Sequence, residues 1–288
     1  MQIAKLRREY HERICQEVIR IRRDTSKNLE YPNIADSNNK SSMAIAWGLV
    51  ARLGCPKNYA GVSEQTIGGR FEKITKDFLE AAFQLLQHLR PGNWIYATSQ
   101  TAISGFDQYE HLAQLEKVIR PDKALASALG TDYIVKPDII VGRLPVADEE
   151  INRVASIIAA ADRCAKLTPL REENQTIRRP ILHASISCKW TIRSDRSQNT
   201  RTEALNLIRN RKGPLPHIVA VIGEPLPTRI AALALGTGDL DCVYHFALPE
   251  LQEAIGELDN QDQMDMLQML IDGRRLRDIS DLPFDLAI

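Results

Sequence analysis

Runs of β-branched, aromatic and other apolar residues alternate along this chain with stretches of helical periodicity, and that alternation constrains the fold most. The strand-like runs are 93–98 (NWIYAT), 132–142 (DYIVKPDIIVG), 181–190 (ILHASISCKW), 217–223 (HIVAVIG) and 242–248 (CVYHFAL). Between them fall helical patterns. In 71–89, Phe71, Ile74, Phe78, Ala82 and Leu85 recur at helical spacing. An amphipathic helix is expected over about the first twenty residues, another at 43–53, and two more in LPELQEAIGEL and QMDMLQMLI near the end. Helices interleaved with strands predict an α/β fold around a central sheet. No repeat, low-complexity tract or linker divides the sequence, so 1–288 is expected to be one domain. The polar stretch 22–42 (RRDTSKNLEYPNIADSNNKSS) reads as a loop by its turn chemistry. Structureless loops of that length are commonly functional or disordered.

Composition narrows the class. The chain is 44% apolar and 26% charged, ordinary for a globular protein with a substantial core. No apolar run approaches the roughly 20 residues that span a bilayer, and the first residues, MQIAKLRREYHERICQ, are charged throughout. A cytoplasmic location with no membrane partner is expected. The five cysteines (Cys15, Cys55, Cys164, Cys188, Cys242) are scattered, odd in number and lack a CxxC pair. They predict neither a disulfide framework nor a zinc site, and reduced thiols fit the cytoplasm. A net charge of zero argues mildly against a nucleic-acid partner, but charge is unevenly placed. From Lys189 to Lys212 seven basic residues stand against Asp195 and Glu203, whereas from Glu250 onward ten acids face three arginines. A basic middle with an acidic terminal region suits one DNA-facing surface; it also suits a solvated helix face.

Two strands carry the candidate chemistry. In 181–190 the even positions are apolar or thiol and His183, Ser185, Ser187 and Lys189 are polar, so Ser187 and Lys189 share one face. Asp138 follows a proline within an apolar run, which predicts an edge or a bulge. If the two strands are neighbours, a carboxylate, a hydroxyl and an ammonium converge. Phosphodiester hydrolysis requires an activated water and neutralisation of charge on phosphate, and bound magnesium supplies both. Asp138 is the natural first ligand, since magnesium takes one or two carboxylates plus waters and substrate oxygens. Lys189 would orient the water or stabilise phosphate. A second metal needs a second acid, and Glu203 and Glu72 are the candidates. Each residue also has a plainer reading. Asp138 could pair with Lys136 or Arg143, and Lys189 could snorkel at a strand end. Glu203 could close a capping box, Thr200–Glu203, that opens a helix. Glu72 could be a first-turn acid favoured by the helix dipole. His183 and His245 read as core histidines, and Gly236-Thr237-Gly238 as a turn.

With those residues in view, the segment 182–221 resembles the NgoMIV family of restriction endonucleases. So do YIVKPDIIV, EQTIGGRFE, ALGTGDLDCVYHFAL and RDISDLPFDLAI. The likeness is weakest at the first helix and over about 150–178. It implies a restriction-endonuclease-like PD-(D/E)xK core with a mixed sheet flanked by helices, the second acid lying on the helix after the catalytic strand. It implies Asp138, Glu203 and the backbone carbonyl of Cys188 as magnesium ligands, two ions per active site, with Glu72 completing the acidic site and Ser187 and Lys189 lining it. Arg193, Asp195 and Arg196 would read the inner base pairs of double-stranded DNA and Arg229 the outer one. Gln65 would approach from the minor groove, and a minor-groove serine of the family corresponds to Ser37 or Asn38. The resemblance further implies a homotetramer holding two DNA copies, a target GCCGGC cut after its first G, and a cognate DNA methyltransferase. Two other functions fit the bare residues. A less specific repair or recombination nuclease would carry an additional helicase-like or binding domain. A non-catalytic DNA-binding protein would lack Asp138 or Lys189, and both are present.

Overall fold

The computed structural model describes residues 1–98, 101–119, 121–123, 135–192, 194–236 and 238–288. Its fold is α/β, as expected: strands β3 (Trp94–Thr98), β4 (Ile139–Arg143), β5 (Ile181–Lys189), β6 (His217–Ile222), β7 (Cys242–His245) and β8 (Leu276–Asp278) form one six-stranded sheet in sequence order. The sheet is mixed. β3 and β4 are antiparallel, with Trp94 opposite Arg143 and Thr98 opposite Ile139. β6, β7 and β8 run parallel. Parallel neighbours need crossover connections, and the helices Pro227–Ala234, Leu248–Gly256 and Gln261–Asp272 occupy them.

Two compact units make up the chain. The first comprises Met1–Arg90, Ile186–Ala204 and Ile218–Ile288. In its core helix α1 (Gln2–Arg13) packs on helix α3 (Glu64–Gln84), with the Tyr10 ring 5.2 Å from Phe78. Trp190 sits between Phe71 and Phe246, at 5.1 and 5.3 Å. Arg7 forks onto Glu250 and Asp278 at 2.7–2.9 Å, satisfying two partly buried carboxylates that would otherwise be costly. The second unit comprises Pro91–Ser185 and Leu205–His217. There the Gln108 amide holds both the N–H and the C=O of Leu182, at 2.9 and 2.8 Å, extending the ladder beside β5 with a side chain.

Five expectations are corrected. The polar stretch 22–42 contains a hairpin, β1 (Ile21–Asp24) paired antiparallel with β2 (Leu29–Pro32). Its turn has Asn28 at φ 47° and the Asp24 carboxylate accepting from the N–H groups of Ser26 and Lys27. Asp138 stands directly before β4, and β4 is an interior strand, neither edge nor bulge. Pro137 has no N–H to give the ladder, so the strand begins after it. Helix 194–210 starts at Ser194 and α3 at Glu64. Thr200–Glu203 is therefore no helix start, and Glu72 is no first-turn acid. Finally, Cys15 and Cys55 are joined in a disulfide, which spacing in sequence had no means of showing. Cys15 lies in the π-helical turn after α1 and Cys55 just beyond helix α2 (Lys40–Arg52), two ends that packing brings together.

Candidate active site

β5 delivers the candidate catalytic residues. Leu182, Ala184, Ile186 and Cys188 are buried, as its alternation predicts, and so are His183 and Ser185 on the opposite face. The His183 ring lies 4.8 Å from Trp94 and 5.1 Å from His217, which fills that face with aromatic surface. Toward the end of the strand the same face opens, and Ser187 and Lys189 are only half-buried. Glu72 and Glu203 are also half-buried, each in the body of a helix. Ser187, Cys188, Lys189, Glu72 and Glu203 belong to the first unit, and half-buried Asp138 to the second.

The donor set suits a hard cation. Asp138, Glu203 and Glu72 offer carboxylates and Cys188 a backbone carbonyl, all oxygen ligands of the kind magnesium takes. Among the described residues no group of three or more His, Cys, Asp or Glu side chains is gathered into a ready cage. Asp138, Glu203 and Glu72 are thus not brought together as such a group.

Past β5 the chain passes a second concentration of polar chemistry. A cavity of about 650 Å³ is lined by Asp36, Ser37, Asn38, Thr191, Ile192 and Arg229, among others. Three of the expected base readers, Ser37, Asn38 and Arg229, thus share one cavity with the two residues that lead into 193–196. Gln65 is exposed beside Glu64 of the same cavity wall. Asn38 accepts from Lys27 Nζ at 2.7 Å. Arg193 lies outside the described residues; Asp195 and Arg196 lie in the first turns of helix 194–210.

Two residues here escaped the sequence reading. Asp36 forms an ion pair with Arg229; an aspartate beside an arginine is the pair that matches cytosine and guanine edges. Glu224 is 1% exposed, and burial pushes its carboxyl up to about 7, partly offset by the Ile192 N–H and by Arg229. The only sequence signal for Glu224 was an acid at the end of the apolar run HIVAVIG, and for Asp36 an acid within a loop of turn residues. Elsewhere His245 is fully buried, with its Nδ1 accepting from the Ala247 N–H at 3.1 Å, a core histidine as expected. No described helix is long and apolar enough to cross a membrane.

The family model described as NgoMIV restriction enzyme matches residues 10–288. The type II restriction enzyme NgoMIV of Neisseria gonorrhoeae is 48% identical over 258 residues, 88% of this chain and 89% of that relative. Among solved structures, a complex of restriction endonuclease PspGI with substrate DNA is similar over 99% of this chain and 91% of its own, at 14% identity and a TM-score of 0.32. Restriction endonuclease Bse634I with cognate DNA is similar over 88% and 97%, at 11% identity and a TM-score of 0.29.

Proposed function

This chain belongs to the NgoMIV restriction enzyme family and is a type II restriction endonuclease, and we propose that it cuts both strands of GCCGGC after the first G, using magnesium. The cavity that collects Arg229, Asp36, Ser37, Asn38 and the neck of 193–196 is the observation that best supports a G·C-rich target. Arginine forks onto guanine N7 and O6, and aspartate accepts from the cytosine amine. Arg193, Asp195 and Arg196 read the inner CCGG, and Arg229 reads the outer pair. Gln65 and the Ser37–Asn38 loop approach from the minor groove. Because Thr191 and Ile192 continue directly from Lys189 and Trp190, base reading and the scissile phosphate are tied by a few residues of backbone.

Asp138, Glu203 and the Cys188 carbonyl would hold the magnesium ions, two per site, with Glu72 completing the acidic site. When bound, magnesium lowers the pKa of water and neutralises charge on the phosphate. Lys189 orients the attacking water and meets the phosphate as a point charge. Ser187, next on the same face of β5, lines the same site. Residues 1–288 act as a single nuclease domain. The enzyme works in the cytoplasm as a homotetramer on two DNA copies, beside a methyltransferase that protects the same sequence.

The test is selection from a randomised-site library at fixed salt, with magnesium and then with calcium in its place. A GCCGGC consensus cleaved with magnesium is expected. A consensus rich in A·T, or cleavage indifferent to sequence, would overturn the target.

A further inference from the structure

Every residue from Ile218 to Pro227 apart from the acid between Gly223 and Pro225 has a reason to be buried, and that acid, Glu224, is buried as deeply as its neighbours. A buried carboxylate is unfavourable unless its oxygens are hydrogen-bonded, and both are. One oxygen accepts from the Ile192 N–H at 2.9 Å and the other from the Leu226 N–H at 3.2 Å. The second oxygen also lies 4.0 Å from the Arg229 guanidinium, whose other side pairs with Asp36. The residue before it anchors the assembly to the catalytic strand. Gly223 donates its N–H to the Lys189 carbonyl at 3.0 Å, and a Cβ there would come within 2.7 Å of Trp190 ring and backbone atoms. Only glycine permits that approach.

We propose that Glu224 is a positioning residue for sequence discrimination, its carboxylate fixing Arg229 relative to the backbone that leads into Arg193, Asp195 and Arg196. This rests on those arginines and the aspartate reading bases, as proposed above. One carboxylate holds the last backbone N–H before the inner readers and faces the outer reader. It thereby sets the spacing between two groups that must meet adjacent base pairs together. Glutamine is the informative replacement. It has the same shape, but a single acceptor oxygen for two N–H donors and no charge for Arg229.

The experiment measures kcat/KM on the consensus site and on sites changed at one pair. It compares wild type, Glu224→Gln, Glu224→Asp, Arg229→Ala and the Glu224→Gln/Arg229→Ala double variant. The pair read is whichever one Arg229→Ala relaxes, so a consensus other than GCCGGC would remove the target reading and leave this test intact. Discrimination at that pair falls on the order of 10-fold in Glu224→Gln, the scale of one lost base contact. Glu224→Asp, charged but shorter, retains part of it. In the Arg229→Ala background Glu224→Gln costs nothing more at that pair, because its effect there passes through Arg229. Equal slowing on all sites, or additive losses in the double variant, would make Glu224 a structural residue only. So would an Arg229→Ala variant that relaxes no pair. If circular dichroism shows Glu224→Gln unfolded, Glu224→Asp decides: a folded Asp variant with wild-type discrimination overturns the proposal.

Discussion

Replacing Glu224 by Gln should change how stability depends on pH, with a sign that follows from burial. In the folded protein this carboxyl titrates near 7, against an ordinary value of 4.5. Between those two values the folded state binds more protons than the unfolded state, so stability falls as pH rises from 4.5 to about 7 and then levels off. At about 1.4 kcal/mol per pH unit, the wild type loses about 3 kcal/mol across that window through this group. His245 acts in the opposite direction. Burial pushes it down to about 4 from 6.5, so its contribution grows as pH rises through the same region. The two slopes oppose each other in the wild type, and Glu224→Gln removes one of them. Glutamine also leaves one of the N–H groups of Ile192 and Leu226 without an acceptor, costing about 1–3 kcal/mol, but that cost does not vary with pH. The assay is urea unfolding of both proteins across pH 4.5 to about 7, followed by tryptophan fluorescence. The stability of the variant relative to wild type should climb by about 3 kcal/mol over that range. A difference that stays constant with pH would refute the raised titration of this buried carboxyl.

Other expectations follow from the same structure. Asp138→Ala and Lys189→Ala should each abolish cleavage in magnesium while gel-shift affinity in calcium persists; near wild-type cutting by either would displace the active-site assignment. Asp195→Asn or Arg193→Ala should cost about 1–3 kcal/mol per altered contact and relax an inner CCGG position, read on the same library; uniform weakening on all sequences would contradict this. Reduction with dithiothreitol, or Cys55→Ser, should lower stability by up to about 4 kcal/mol, the loop-closure value for a disulfide spanning 40 residues. Unchanged urea midpoints would show that the bridge contributes nothing. A plasmid with two target sites should be cut faster per site than one with a single site, and sedimentation should give a tetramer; dimers on one duplex would contradict the assembly.

Legibility followed the range of the interactions. The alternation in 181–190 predicts β5 to within a residue, because period-two burial is written in adjacent side chains. The helix over 71–89 was visible for the same reason, although it begins earlier, at Glu64, where the Ser63 side chain caps it by accepting from the Thr66 N–H. The β1–β2 hairpin was not visible, since its strands are four residues long and carry charges such as Arg23 and Glu30 facing each other in water. Thr200–Glu203 mimics a helix start because a capping box is a local pattern, and the helix beginning at Ser194 overrides it. Asp36, Glu224 and the Cys15–Cys55 bridge depend on contacts between residues far apart in sequence. No local period records such contacts. Asp36 and Arg229 meet across 193 residues, and Glu224 meets Ile192 across 32.

Whether the enzyme is magnesium-dependent and specific for GCCGGC can be read by digesting a plasmid of known sequence with the purified protein and magnesium and sequencing every end produced. Ends are expected only at GCCGGC, each with a CCGG 5′ overhang, and none when that site is methylated by its cognate enzyme or when Asp138→Ala replaces the wild type. Ends at a different sequence, blunt or 3′-extended ends, or ends scattered through the plasmid would contradict that expectation.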